Sequence, residues 1–204
     1  MGGVAPSPDD LSQVPAIRTS ALVAAVAWTG LHLALAVLSF DQVRHPLPYV
    51  AALALCGVGV LWTIRPLLGE PARFPDLPVW LMAASVPVVE LLDVSSLDPG
   101  AVNGYANWPA GATGVLLAGL VLRRRGWWAI FATVGLVAVQ TVGYLRSPAG
   151  DVQLAVPVLL AFPSELWLLG SWAVRRLMQR ADRVAVEFRL RAARDAAAAL
   201  AGGS

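Results

Sequence analysis

The sequence predicts an all-α polytopic membrane protein, a bundle of six transmembrane helices followed by a C-terminal cytoplasmic helix. Hydrophobic residues make up 57% of the chain and charged residues 14%, against roughly 45–50% and about 25% in soluble domains. The apolar residues occur in long runs rather than on one face of amphipathic segments. Thirteen of the fifteen basic residues also fall in alternate inter-run segments, the pattern of loops on one side of a membrane.

Six apolar runs are candidates for membrane spans, because a helix needs about 20 apolar residues to cross a bilayer. They cover residues 20–40, 47–64, 77–92, 108–122, 127–145 and 152–174. The first run has no small-residue cleavage pattern before Asp41, so we interpret it as an uncleaved helix and not as a signal peptide. The third and fourth runs are the shortest, and each must borrow flanking residues or lie in thinned bilayer.

The segments that flank these spans complete the domain organisation. Residues 1–18 are polar and rich in proline, and we predict a disordered cytoplasmic tail there. Residues 19–174 form the predicted membrane domain. Residues 175–204 form the predicted cytoplasmic helix, which runs without glycine or proline as far as residue 200 and would extend about 39 Å from the membrane.

The distribution of arginine predicts the orientation in the cell membrane. All fifteen basic residues are arginine, and only Arg44 and Arg146 fall in the loops that lie outside if the N-terminus is inside. The positive-inside rule therefore predicts a cytoplasmic N-terminus, a cytoplasmic C-terminus and an even number of spans.

The sixth span contains a candidate site for intramembrane sensing or gating. Glu165 lies about two thirds of the way along it, with Pro157 and Pro163 on its N-terminal side. An ionisable group in a span costs several kcal/mol unless it has a partner or a wet cavity, and the prolines free backbone carbonyls and favour a kink. A purely structural carboxyl within the kink is the alternative.

A second candidate is an acidic outer mouth at the end of the third span. Glu90 and Asp93 close that span and Asp98 follows in the longest outside loop, so these carboxylates could attract a cation or a cationic peptide. Carboxylates that simply end a helix in the headgroup region are the alternative. No histidine or further oxygen ligand follows at metal spacing, so neither a metal nor a cofactor is expected.

The predicted cytoplasmic helix has the spacing of a short coiled coil. Apolar residues at 3-4-3-4 intervals form a candidate dimer seam with arginines on the other faces. Its members are Val174, Leu177, Ala181, Val184 and Phe188. The pattern predicts a parallel homodimer, and a single amphipathic helix lying on anionic lipid is the alternative.

No catalytic signature appears in the chain. Phosphate-binding loops, zinc-protease and nucleophile-elbow motifs are missing from the sequence, and the single cysteine, Cys56, permits neither an internal disulfide nor a thiolate metal site. The arginines lie at the ends of apolar runs and do not alternate with aromatic residues, so nucleic acid is not an expected partner.

The layout resembles the membrane input region of bacterial two-component sensor histidine kinases, a resemblance that covers the whole chain. It rests on Asn107-Trp108-Pro109 with Gly111 at the start of a span, Leu122-Arg123-Arg124-Arg125 at its end, and the Ala/Arg helix at 191–196. The resemblance implies a sensory and dimerising module that feeds a kinase domain or a response regulator. Neither histidine matches the phosphorylated position, so kinase activity would need further domains after Ser204.

Taken together, the sequence favours a membrane sensory module that acts through its last helix. The rival functions are a small transporter or channel subunit with a midplane site at Glu165, and a membrane scaffold that binds partners through its arginine-rich tail.

Overall fold

The structure is a computed structural model that describes residues 8–68, 77–102, 106–123, 125–146 and 155–202, without the side chains of 8–14, 66, 155–163, 165 and 199–202. Within these ranges the chain is almost entirely helical, and the predicted all-α class is confirmed. The helices are α1 (Pro8–Leu38), α2 (Pro46–Leu68), α3 (Val79–Ser96), α4 (Pro109–Ala112), α5 (Gly114–Leu122), α6 (Gly126–Arg146) and α7 (Ala155–Gly202).

Four helices of the described residues are long and apolar enough to cross a membrane. They are Pro15–Leu38, Pro46–Arg65, Val79–Ser96 and Gly126–Arg146. Their outer faces carry exposed large apolar side chains, such as Val37 at 74% and Phe131 at 67%. A soluble monomer does not expose so much contiguous apolar surface, so the chain is a membrane protein.

Helix α1 begins well before the first predicted span. It starts at Pro8, within residues 1–18, where the sequence predicts a disordered tail. Proline is favourable in a first helical turn, where its missing N–H needs no partner.

The fourth apolar run forms two short helices at the centre of the bundle. Helices α4 and α5 join at Thr113, whose hydroxyl donates to the Pro109 carbonyl at 2.7 Å. Every residue from Pro109 to Val121 is buried, with α7, α2, α6 and α3 packed around α5. A run that is apolar on all sides is typical of such a fully surrounded helix.

The bundle has two chemically different ends. At one, which we call the Arg123 end, the Arg123 guanidinium donates to the Trp62 carbonyl at 3.0 Å and stacks 3.9 Å from the Trp62 ring. At the other, the Arg146 end, the N–H groups of Arg44 and His45 donate to the carbonyl of Ser96 at 2.8 and 3.0 Å.

Helix α7 continues without interruption for 48 residues. Its first described side chain, Ser164, is fully buried and donates to the carbonyl of Ala110 in α4. Further along, Arg175 donates to the Val121 carbonyl at the end of α5, at 3.3 Å. Most side chains after Arg175 are exposed, and we call this stretch the free part of α7. The expected continuity of the last span with the tail is therefore present in the structure.

Candidate functional site

Four polar side chains meet inside the bundle, and we call them the polar cluster. They are Glu90 and Asp93 of α3, Asn107 just before α4, and Gln140 of α6. Glu90 and Asp93 are 0% exposed, Gln140 is 1% and Asn107 is 6% exposed. These are the two described carboxylates that the fold removes from its surface.

The helical repeat explains why α3 turns both carboxylates inward. Glu90 and Asp93 are three residues apart, so they lie on one helix face. The same face buries Met82, Val86 and Val89, and it packs against α2 and α6. The apolar residues that orient the helix therefore place the two carboxylates in the interior.

The cluster residues approach one another without closing into hydrogen bonds. The amides of Asn107 and Gln140 lie near Glu90, and Asp93 lies near Glu90 and the Trp108 indole. None of these approaches reaches normal hydrogen-bond geometry, so all four carboxylate oxygens are without a bonded partner. The Asn107 Nδ2 donates to the Val102 carbonyl at 3.1 Å, and its Oδ1 has no hydrogen-bond partner.

Buried aromatic side chains pack beside the cluster. Tyr49, which is 0% exposed, donates through its hydroxyl to the Ala36 carbonyl at 2.7 Å. Its ring stands edge-on to that of Trp108, with 6.3 Å between the centroids. The aromatic pair therefore holds the start of α4 in place beside Asp93.

The charge balance of the cluster is unusual for a membrane interior. Two ionised carboxylates there would be costly without a counter-charge, and no described arginine or histidine forms an ion pair with either. A buried charge of this kind persists only when it is paired or neutralised. The arrangement can therefore hold either protons or a bound cation.

The structure separates the residues of the predicted outer mouth. Asp98 is exposed, and its N–H donates to the Gln42 carbonyl at 3.1 Å, whereas Glu90 and Asp93 are wholly buried. The three carboxylates therefore do not form one acidic mouth, and this prediction is wrong for Glu90 and Asp93. The reason is that Glu90 and Asp93 lie on the face of α3 that points into the bundle. Their position near the end of an apolar run does not indicate this direction.

Sequence reasoning missed Asn107 and Gln140 as site residues. Gln140 is a lone amide within the apolar run of α6, and a polar residue inside a span commonly faces a protein interior. That signal was present in the sequence. Asn107 gave no comparable signal, because it lies in the segment that precedes a helix and only the fold carries it to Glu90.

The candidate gating residues of the last span lie mostly outside the description. Pro157 and Pro163 fall within α7, but their side chains and that of Glu165 are outside the described part. In the candidate dimer seam, Leu177 and Phe188 are 49% and 44% exposed. The other three members, Val174, Ala181 and Val184, are half-buried.

A cleft of about 430 Å³ opens at the Arg146 end between α3 and α6. Apolar side chains such as Leu91 and Val139 line its depth, and Arg44, His45 and Arg146 lie at its edge. It thus combines an apolar interior with basic groups, and it flanks the end of α3 that carries Asp93.

The fold and the cluster define an all-α membrane protein whose apolar interior contains four clustered polar side chains. The chain belongs to the family whose model is described as a domain of unknown function (DUF8320), which matches residues 18–163. This range contains the whole polar cluster and stops before Ser164 of α7. No curated protein and no solved structure matches the chain.

Proposed function

We propose that the chain is a sensory module of the cell membrane, with six spans, both termini in the cytoplasm, and α7 as its output helix. The observation that carries the proposal is the continuity of α7, which is packed against the bundle core at Ser164 and mostly exposed after Arg175. A rigid helix of this kind transmits a shift or a rotation over its whole length.

The polar cluster and the output helix α7 are connected through the short helix α4. Asn107 and Trp108 precede α4 directly, and the Ala110 carbonyl of α4 accepts from Ser164 of α7. Thr113 and Ser164 also approach each other, with 3.4 Å between their hydroxyl oxygens. A change at the polar cluster would therefore act on α7 through a single turn of helix.

The free part of α7 supports a parallel homodimer in this proposal. Leu177 and Phe188 expose about half of their surface in one chain, and the 3-4 spacing places them on one seam with Ala181 and Val184. A second copy would bury this seam. A kinase domain or response regulator, as in the sensor histidine kinases that the sequence resembles, would then act downstream.

Disulfide cross-linking tests the output helix. In a Cys56→Ala background, single cysteines are introduced at residues 176 to 190 and the protein is oxidised in native membranes. We expect maximal cross-linked dimer at 177, 181, 184 and 188, since these positions face the partner at an a/d spacing. Cysteines at 179, 182, 186 and 189 serve as matched positions on the opposite face.

The cross-linking pattern distinguishes the rival arrangements. Equal and weak cross-linking at all positions would contradict the dimer and favour a helix lying on anionic lipid. Strong periodic cross-linking that peaks on the arginine faces would also contradict the seam.

A transporter is the second candidate function, favoured by the buried carboxylates of Glu90 and Asp93. Intramembrane carboxylates commonly mark ion and proton pathways. Proteoliposomes that contain the chain truncated after residue 174 provide the test, because a transporter should retain cation flux without the free part of α7 and a sensory module has no flux to retain.

A further inference from the structure

We propose that Glu90, Asp93, Asn107 and Gln140 form a buried binding site for one divalent metal cation of the hard, oxygen-preferring class, such as Mn²⁺, Ca²⁺ or Mg²⁺. The proposal does not depend on the sensory function, because metal binding is measured directly on the purified chain.

The first argument is the set of unused oxygen atoms. Both oxygens of Glu90, both of Asp93, and the side-chain oxygens of Asn107 and Gln140 are buried and lack a hydrogen-bond partner. Six such atoms from four side chains match the number of oxygen ligands that hard divalent cations take. Buried polar atoms are rarely left unsatisfied, and a bound cation would satisfy these oxygens.

The second argument concerns the side-chain amide of Gln140. Gln140 is 1% exposed, and neither its side-chain oxygen nor its nitrogen has a bonded partner. The amide nevertheless points to Glu90. An amide that only filled space between α3 and α6 would be replaced at lower cost by an apolar side chain, since burying it unbonded costs about 1–3 kcal/mol.

The third argument concerns charge and ligand type. A divalent cation would neutralise both carboxylates, and no described basic side chain does so. The cluster contains neither histidine nor cysteine, and carboxylate and carbonyl oxygens suit magnesium, calcium and manganese better than softer metals. The Trp108 indole beside Asp93 would orient that carboxylate from outside the ligand set.

The cluster lies close to one end of the bundle, so a cation would cross only a short distance of protein to reach it. Asp93 is one turn from the end of α3 at Ser96, and Asn107 belongs to the segment before α4. In the proposed orientation this is the outer end. Metal bound there would tie α3 and α6 to the start of α4, beside the contact with α7.

Binding is tested with Mn²⁺ as the probe, by electron paramagnetic resonance of the full chain in phosphatidylcholine nanodiscs, which avoid anionic lipid. We expect one Mn²⁺ per chain, displaced by excess Ca²⁺ or Mg²⁺. Glu90→Gln and Asp93→Asn should each weaken binding by at least about ten-fold, since even the loss of a group behind a metal ligand weakens binding 10- to 100-fold. Gln140→Leu should weaken it as well.

Asp98→Asn is the matched control, because it removes an exposed carboxylate from the same end and should leave Mn²⁺ affinity unchanged. Thermal unfolding provides a second readout, in which the Tm of each variant is compared with and without Mn²⁺. Mn²⁺ should raise the Tm of the unmodified chain and of Asp98→Asn, but not that of Glu90→Gln/Asp93→Asn.

Two outcomes overturn the proposal. One is the absence of Mn²⁺ binding to the unmodified chain. A higher Tm for Glu90→Gln/Asp93→Asn would then mean that protons alone neutralise the carboxylates. The other is Mn²⁺ binding of equal affinity in that double variant, which would place the metal elsewhere.

Discussion

At the residue scale, close helix contacts in this protein depend on glycines. An ideal Cβ on Gly114 would lie 2.8 Å from the Trp167 ring and 3.0 Å from the Ser164 Cα of α7. Small residues permit such approaches between membrane helices. The row Ala110, Gly114 and Ala118 in the sequence indicates this kind of packing, but only the fold shows that α7 is the partner.

We expect Gly114→Ala to lower the free energy of unfolding by about 1–3 kcal/mol, the usual cost of an overpacked core. The Ser164 backbone cannot move aside as a flexible side chain could. Gly57→Ala is the control, because its Cβ meets nothing within 4 Å and alanine is the better helix former. Thermal unfolding in detergent measures both, and a loss of stability as large in Gly57→Ala would contradict this account.

Arg123 makes the second residue-scale contact that can be tested. Its guanidinium both donates to the Trp62 carbonyl and stacks on the Trp62 ring. Arg123→Gln should therefore cost about 1–2 kcal/mol through the loss of a charged hydrogen bond and a cation–π contact.

The neighbouring Arg125 is exposed and provides the control, since Arg125→Gln removes the same charge from the same end. A titration with denaturing detergent compares the two variants. Equal stabilities would mean that the Trp62 contact contributes nothing beyond net charge.

At the scale of helices, the sequence predicts which segments are helical better than it predicts whether each helix faces lipid or protein. The apolar runs identify α1, α2, α3 and α6 because a continuous apolar segment of that length has few alternatives. The same signal does not separate a lipid-facing helix from one surrounded by protein, since both are apolar on every side. For this reason the fourth run was predicted as an ordinary span, although α5 is the buried centre of the bundle.

The central position of α5 predicts that truncating a leucine there costs more stability than truncating an exposed leucine in α2. Leu117 of α5 is 0% exposed and Leu61 of α2 is 59% exposed. Leu117→Ala should destabilise the protein by about 2–5 kcal/mol, because it leaves a cavity among four helices. Leu61→Ala should cost much less, as lipid chains fill the space. The same detergent titration measures the difference, and equal effects would argue against a central α5.

The polar cluster shows what helix prediction alone cannot supply. The spacing of Glu90 and Asp93 places them on one face of α3, and this could be read from the sequence. The direction of that face depends on packing against α2 and α6, and Asn107 joins only through the turn before α4. Sites that combine three separate elements are set by tertiary contacts, which the pattern of a single segment does not encode.

At the scale of the whole molecule, the two ends of the bundle correspond to the arginine distribution. Arg44 and Arg146 border the same cleft at one end. Arg123 and Arg175 are fixed at the other, where they donate to the carbonyls of Trp62 and Val121. The arginine-bearing segments predicted to share a side of the membrane therefore share an end of the structure.

Alkaline phosphatase fusions after residues 98, 124 and 200 test that orientation, because the enzyme is active only outside the cytoplasm. Only the first fusion should be active, since residue 98 belongs to the end with two arginines and the other sites follow the arginine-rich segments. Green fluorescent protein at the same positions is the complementary control and should fluoresce only after residues 124 and 200. Phosphatase activity at 200 would require an odd number of spans and would place the free part of α7 outside the cell, where no cytoplasmic kinase domain could receive its signal. The polar cluster and its metal site would survive that result, because they depend on the packing of α3, α4 and α6 and not on which side of the membrane they face.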